Sequence, residues 1–174
     1  MVRRIRKKAY SLTPLKRLVY LISPNKINQN FYSTLDKVLS YKNVKFFQLR
    51  LKNVSEKKLF NISKKIKKIT TKYQVKFIIN DYFVIASEVK ADGCHMGQLD
   101  GSFKIARKKL KKRILGVTCH NSQILAKNAI TNKANYVAFG SFFRSNLKPS
   151  AKRANLNILK WAKKNIKKPI VVIG

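Results

Sequence analysis

The chain has 174 residues, of which 45% are hydrophobic, so it is long enough to bury the core of one globular domain. It carries 40 Lys and Arg residues against six Asp and Glu residues, a formal net charge of +34. Such a charge fits a protein that binds nucleic acid or a membrane surface, but it fits equally a Lys-rich composition in which the lysines cover solvated helix faces.

The start of the chain, residues 1–17, is basic, and the apolar run after it is too short for a signal sequence or a membrane span. The two cysteines form no CxxC pair, which argues against a disulfide framework or a zinc site. We therefore expect a cytoplasmic protein with a basic N-terminal extension, residues 1–17, and a single domain, residues 18–174.

Short apolar segments alternate with amphipathic segments along this domain. We predict strands at 18–22, 44–49, 75–79, 91–96, 114–117, 136–139 and 169–173. We predict helices at 31–39, 55–72, 83–89, 103–110, 122–131 and 156–165, the second of them from apolar residues that recur every three or four positions. Seven strands with a helix in each gap predict a parallel α/β fold, and their even spacing favours a (β/α)₈ TIM barrel over an open sheet.

The number of predicted strands is one short of eight. We therefore expect an incomplete barrel, a fragment of a longer chain that lacks the C-terminal strand and helices. Strands one and seven would then be unpaired sheet edges, and an open apolar edge would make the fragment prone to aggregation and inactive.

Acidic residues are concentrated in one stretch, since four of the six lie within residues 80–100. Two of these, Asp81 and Asp100, follow the ends of predicted strands three and four. The C-terminal ends of parallel strands meet at one edge, where ligands of such folds bind. Two carboxylates there can share a Mg²⁺ ion, which prefers oxygen ligands. The alternative is structural, with Asn80 and Asp81 capping the next helix and Asp100 in a turn.

Other predicted strand ends carry cationic and hydroxyl groups. Gln48, Arg50 and Lys52 alternate at the end of strand two and so share one side of it. The guanidinium fork and the ammonium charge both suit phosphate oxygens. The segment after strand six offers hydroxyls, backbone N–H groups and Lys148, which indicates a phosphate site. Strand seven ends at Gly174, where a backbone can approach a ligand closely.

Taken in order, these motifs resemble the thiamine phosphate synthase family. The matching segments are QLRLK (48–52), IINDYFVIASEVKADGCHMGQLD (78–100), ILGVTCHNS (114–122), NYVAFGSFF (135–143) and PIVVIG (169–174). The resemblance implies a transferase that joins 4-amino-5-hydroxymethyl-2-methylpyrimidine diphosphate to a thiazole phosphate and releases pyrophosphate. It implies Mg²⁺ as the cofactor, held by Asp81 and Asp100, and no covalent nucleophile in the protein. It leaves the oligomeric state open.

The resemblance also implies which residues contact each substrate. Those for the pyrimidine diphosphate are Gln48, Arg50, Lys52 and Asn80, with Thr118 and Lys148 beside them. Those for the thiazole phosphate are Ser145, Asn146, Leu147 and Gly174. The family has Pro-Thr-x-Thr-Lys where this chain has residues 144–148, RSNLK. Leu147 lacks the second hydroxyl, which leaves the affinity for the thiazole phosphate open.

Two other functions compete with this one. A thiazole tautomerase shares the fold and is similar around His120, which would act as a base, but a proton transfer needs no diphosphate site. Nucleic-acid binding rests on charge alone, and the Lys runs fall on separate helix faces, so we expect no specific nucleic-acid partner and no membrane partner. We interpret His95 as a packed strand residue, and the pairs Phe46-Phe47 and Phe142-Phe143 as core residues.

Overall fold

The computed structural model describes residues 18–143 and 153–173. The predicted basic extension, residues 1–17, lies outside the described residues, as do Ser145, Asn146, Leu147, Lys148 and Gly174. In the described part, seven strands alternate with six helices, as predicted. The strands are β1 (Val19–Ile22), β2 (Val44–Leu49), β3 (Lys76–Asn80), β4 (Gly93–Met96), β5 (Ile114–His120), β6 (Tyr136–Gly140) and β7 (Ile170–Ile173). The helices are α1 (Phe31–Leu39), α2 (Glu56–Lys72), α3 (Phe83–Glu88), α4 (Phe103–Leu110), α5 (Gln123–Thr131) and α6 (Leu156–Asn165).

The strands form one parallel sheet in the order β1-β2-β3-β4-β5-β6-β7. This sequential order is that of a (β/α) barrel, and the predicted fold class, an α/β barrel with seven strands present, is confirmed. β1 and β7 are the two edges of the sheet, as expected. Residues on these edge strands are more exposed than residues on the central strands. Val19 and Val172 are exposed, whereas every residue of β4 is buried.

The sheet is strongly curled. The hydroxyls of Tyr20 in β1 and Tyr136 in β6 lie 2.8 Å apart, although five strand spacings separate the two strands in the sheet order. In a flat sheet, five spacings of about 4.8 Å would hold these strands roughly 24 Å apart. The inner face of the sheet is therefore closed enough for side chains from distant strands to meet.

The two faces of the sheet have different compositions. The outer face packs against the helices and supplies most of the buried apolar core, including Phe47, Leu49, Phe77, Ile79, Leu115, Val117, Val137 and Phe139. The inner face carries polar and aromatic side chains that contact one another, namely Tyr20, Phe46, Gln48, Asn80, His95, Thr118 and Tyr136. This division follows from the alternation of side chains along a strand.

Three of the helices begin at serines that cap them. The hydroxyls of Ser55, Ser102 and Ser122 accept hydrogen bonds from backbone N–H groups in the first turns of α2, α4 and α5. The predicted cap of α3 is wrong, because its N-cap is Tyr82 and no side chain caps it. Among the helices of the described residues, none has both the length and the hydropathy to cross a bilayer.

Candidate active site

The C-terminal ends of β2 and β3 carry a pair of buried amides. The Gln48 Nε2 donates to the Asn80 Oδ1 at 2.6 Å, and the two residues are only 4% and 8% exposed. β3 continues one residue further than predicted, so that Asn80 is paired with His95 of β4. This hydrogen bond holds both side-chain amides in one orientation. The Gln48 Oε1 and the Asn80 Nδ2, which it does not use, are therefore also fixed on the inner face.

The loop after β2 carries two cations. β2 ends at Leu49, as predicted, so Arg50 and Lys52 lie in the loop that follows it. The Arg50 backbone N–H donates to the Ser23 Oγ at 2.9 Å, and its guanidinium Nη1 donates to the Asn25 Oδ1 at 3.0 Å. Ser23 and Asn25 follow β1 and were missed, although they too are polar residues after a predicted strand. They anchor Arg50 against the neighbouring loop.

Two carboxylates meet beside these cations. The Lys52 Nζ lies 2.9 Å from the Asp81 Oδ2, and the Asp81 carboxyl is close enough to Asp100 to act on its pKa. The Gly97 backbone N–H donates to the Asp100 Oδ2 at 2.6 Å. Burial raises the pKa of Asp100, and the Asp81 carboxyl raises it further, against the opposing effects of Gly97 and Lys52. The structure thus brings together the two carboxylates that the sequence placed at one sheet edge.

The backbone at Asp81 turns the chain from β3 toward α3. Asp81 has a φ of 68°, a left-handed conformation that Asp adopts more readily than most residues with a side chain. Its N–H donates to the His95 carbonyl oxygen at 2.7 Å. Within residues 18–143 and 153–173, no group of three or more His, Cys, Asp or Glu side chains is placed to hold a metal ion. Asp81 and Asp100 thus have no third side chain of these types grouped with them in that part of the chain.

Inside the sheet, His95 lies between two hydroxyl groups. Its Nδ1 is 2.8 Å from the Tyr136 hydroxyl and its Nε2 is 2.7 Å from the Thr118 Oγ1. Burial lowers the pKa of His95 to about 4, with Asp100 raising it and Arg50 lowering it to smaller extents. A neutral ring with both nitrogens in contact with protein hydroxyls is a packed strand residue, as interpreted from the sequence.

The remaining residues singled out in the sequence, His120 and the two Phe pairs, lie in different surroundings. His120 ends β5 with a φ of 51° and is half-buried at the same sheet edge. Phe47 and Phe142 pack in or against the core, and Phe46 stacks on Tyr20. The core assignment of Phe143 is wrong, because it is 72% exposed in the loop after β6. All four predicted thiazole-phosphate residues, and Lys148, lie outside the described residues.

The curled parallel sheet defines a (β/α)-barrel protein, and its polar residues lie at the C-terminal edge, where proteins of that fold usually bind ligands. A family profile described as "Thiamine monophosphate synthase" matches residues 19–174. A thiamine-phosphate synthase from Pelagibacter ubique is 53% identical over 160 residues, which cover 91% of this chain and 77% of the relative. One from Erythrobacter litoralis is 36% identical over 167 residues, covering 93% of this chain and 78% of the relative.

Solved structures agree with these sequence relatives. A thiamine phosphate pyrophosphorylase from Pyrococcus furiosus is similar with a TM-score of 0.79 and 25% identity, covering 91% of this chain and 75% of that one. The chain belongs to the thiamine monophosphate synthase family and is a transferase of thiamine biosynthesis. The resemblance seen in its motifs is confirmed. These relatives favour the synthase over the tautomerase and nucleic-acid alternatives.

Proposed function

We propose that the protein couples 4-amino-5-hydroxymethyl-2-methylpyrimidine diphosphate to a thiazole phosphate and releases pyrophosphate, with Mg²⁺ as its cofactor. The observation that carries the proposal is the meeting of Asp81, Asp100 and Lys52 at the C-terminal edge of the sheet, with Arg50 on the same loop. The partners are these small molecules. A cytoplasmic location is part of the same proposal, because both substrates are charged phosphorylated compounds.

The carboxylate pair fits a divalent cation. Burial, and after it the Asp81 carboxyl, raises the pKa of Asp100, so two carboxyl groups share a partly buried site in which Lys52 only partly opposes the shift. Asp81 and Asp100 would hold Mg²⁺, which commonly takes one or two protein carboxylates and completes its shell with substrate phosphates and water. When bound, Mg²⁺ would neutralise charge on the departing diphosphate.

The cationic side chains suit the same diphosphate. The bond from Arg50 to Asn25 uses one of the five N–H donors of a guanidinium, so the group is oriented while other donors remain for phosphate oxygens. The Lys52 Nζ donates to the Asp81 Oδ2 at 2.9 Å, so its ammonium group lies beside the carboxylates that would hold Mg²⁺ and would be placed to contact the phosphates. Both cations would stabilise negative charge as it develops on the leaving group.

The reaction needs no nucleophile from the protein. The bond between the pyrimidine methylene carbon and the diphosphate oxygen breaks, the aminopyrimidine ring stabilises the carbon cation, and the thiazole nitrogen attacks to form the new C–N bond. Burial raises the pKa of Cys94, and it raises the pKa of Cys119 to about 12, so neither thiol is ionised near neutral pH. The protein acts by holding two substrates in line and by electrostatic stabilisation. The fixed amides of Gln48 and Asn80 are suited to contacting the pyrimidine substrate.

Binding measurements on the full-length gene product test the cationic part of the site. Arg50→Ala and Lys52→Ala should each remove a charge-assisted contact worth about 1.5–3 kcal/mol, which corresponds to roughly 10- to 150-fold weaker binding of the pyrimidine diphosphate by calorimetry. Lys45→Ala is the matched control, because Lys45 is an exposed cation on β2. Unchanged affinity in both variants would refute the assignment. If His120→Ala alone abolished turnover and the product were a thiazole isomer, the tautomerase function would replace the synthase.

A further inference from the structure

A chain of three hydrogen bonds crosses the inner face of the sheet. It runs from the Tyr20 hydroxyl to the Tyr136 hydroxyl at 2.8 Å, from there to the His95 Nδ1 at 2.8 Å, and from the His95 Nε2 to the Thr118 Oγ1 at 2.7 Å. Its members come from β1, β6, β4 and β5. Thr118 is the end of the chain that lies at the site, next to the C-terminal ends of the strands.

The packing around this chain leaves little freedom. A Cβ atom on Gly116 would lie 2.0 Å from the Tyr136 Cζ and 2.3 Å from its hydroxyl, so only glycine leaves room for that ring. The rings of His95 and Tyr136 stack with centroids 5.6 Å apart and an interplanar angle of 21°. Tyr20 stacks on Phe46 with centroids 5.3 Å apart. The partners of His95 are therefore set by the shape of the inner face.

The backbone at Thr118 is held as well. The Gln98 Nε2 donates to the Thr118 carbonyl oxygen at 2.5 Å, from the loop that also carries Asp100. The carbonyl oxygen and the hydroxyl of Thr118 both have hydrogen-bond partners. Only the direction of the hydroxyl hydrogen is left undetermined. That direction is set by which nitrogen of His95 carries the proton.

The negative charge of the substrate determines which way the Thr118 hydroxyl hydrogen points. A diphosphate oxygen accepts hydrogen bonds, so a Thr118 hydroxyl that contacts it has to donate its hydrogen. The Thr118 Oγ1 then accepts a hydrogen bond from the His95 Nε2. The Nδ1 then accepts from Tyr136, whose own oxygen accepts from Tyr20. All bonds of the chain point the same way, an arrangement in which each bond polarises the next.

We infer that His95 is a positioning residue, which in its Nε2–H tautomer turns the Thr118 hydroxyl hydrogen toward the phosphorylated pyrimidine substrate. This role rests on the proposed function, since it presumes an anionic ligand at Thr118. A chain that served only to satisfy buried hydroxyls would show no such fixed direction and would not act through Thr118.

Nitrogen NMR reads the tautomer directly. The chain has two histidines, so ¹⁵N-histidine labelling gives two ring systems, and a His120→Gln variant assigns them. We expect His95 to show a protonated Nε2 and an unprotonated Nδ1, with and without added pyrophosphate and Mg²⁺. A ring protonated at Nδ1 in either condition would overturn the inference.

A double-mutant cycle tests whether the chain acts through Thr118. Tyr136→Phe should lower kcat of the full-length enzyme up to about tenfold with a smaller change in KM, and it should have no further effect in a Thr118→Val background. Thr118→Ser, which keeps the hydroxyl, should retain most of the activity. Tyr20→Phe, at the far end of the hydrogen-bond chain, is a milder variant and should lower kcat by a smaller factor. It replaces Tyr136→Phe in the cycle if that variant does not fold.

Losses that add independently across the cycle, or a change in KM alone, would assign the chain a structural role only. Failure of the proposed function looks different, because the wild-type enzyme would then make no thiamine phosphate. The tautomer of His95 would still be measurable in that case.

Discussion

The carboxylate pair should cost the protein stability when no metal is bound. The folded-state pKa of Asp100 is raised by burial and by the Asp81 carboxyl, so the folded protein holds this proton more tightly than the unfolded chain does. The contribution of Asp100 to stability is therefore most favourable at acidic pH and is lost as the pH rises through its unfolded and then its folded pKa. Asp100→Asn removes this loss and should stabilise the metal-free protein at neutral pH, while the amide oxygen can still accept from Gly97.

The magnitude follows from the charges around Asp100. Two unit charges about 4 Å apart repel by about 4 kcal/mol at an effective dielectric constant of about 20. Asp100 is only half-buried and Lys52 lies beside Asp81, so solvent screening and this counter-charge reduce the net effect to about 1 kcal/mol. For a chain of this length, that corresponds to a melting temperature roughly 2–4 °C higher.

Thermal unfolding in EDTA and in MgCl₂ measures both sides of this effect. In EDTA, Asp100→Asn should melt above the wild type. At a Mg²⁺ concentration of about 100 times Kd, the wild type should gain about 2.7 kcal/mol and the variant far less. Asp36→Asn is the control, since it removes a carboxylate that bonds to Lys72 and Tyr73 on the outer helices and should leave the Mg²⁺ response intact. A variant that melts lower in EDTA, or that gains as much from Mg²⁺ as the wild type, would refute the shared-cation site.

Two further predictions concern the inner and outer faces of the sheet. Gly116→Ala should destabilise the protein by about 1–3 kcal/mol in urea unfolding, because its Cβ overlaps the Tyr136 ring, and unchanged stability would show that this ring moves freely. Cys94 and Cys119 are buried with raised pKa values, so both thiols should react with a thiol reagent only after unfolding. Rapid labelling of the native protein would contradict their burial.

Much of the fold could be predicted from local patterns. The bounds of α1, α4 and α6 match the predictions because each helix has a clear apolar face and its ends are marked by polar residues. β3 and β5 run further than predicted, to Asn80 and His120, because the prediction stopped where the apolar residues stopped. Asn80 stays in the sheet while its side chain bonds to Gln48 on the inner face rather than packing in the helical layer.

The candidate site was only partly predictable. Asp81 and Asp100 follow neighbouring parallel strands, so their meeting follows from topology alone. The contact of Tyr20 with Tyr136, and through it the surroundings of His95, depends on how far the sheet curls, which no alternation of residues reveals. The exposure of Phe143 depends on the path of the loop after β6, which an apolar pair of residues does not specify.

The most direct test of the proposed function is a product assay on the full-length gene product with both substrates and MgCl₂. Thiamine phosphate and pyrophosphate should appear in equal amounts, only when both substrates are present, and Asp81→Asn should reduce the rate strongly while the protein stays folded by circular dichroism. Release of pyrophosphate without the thiazole phosphate, or a thiazole isomer as the only product, would contradict the assignment of this site as a thiamine phosphate synthase.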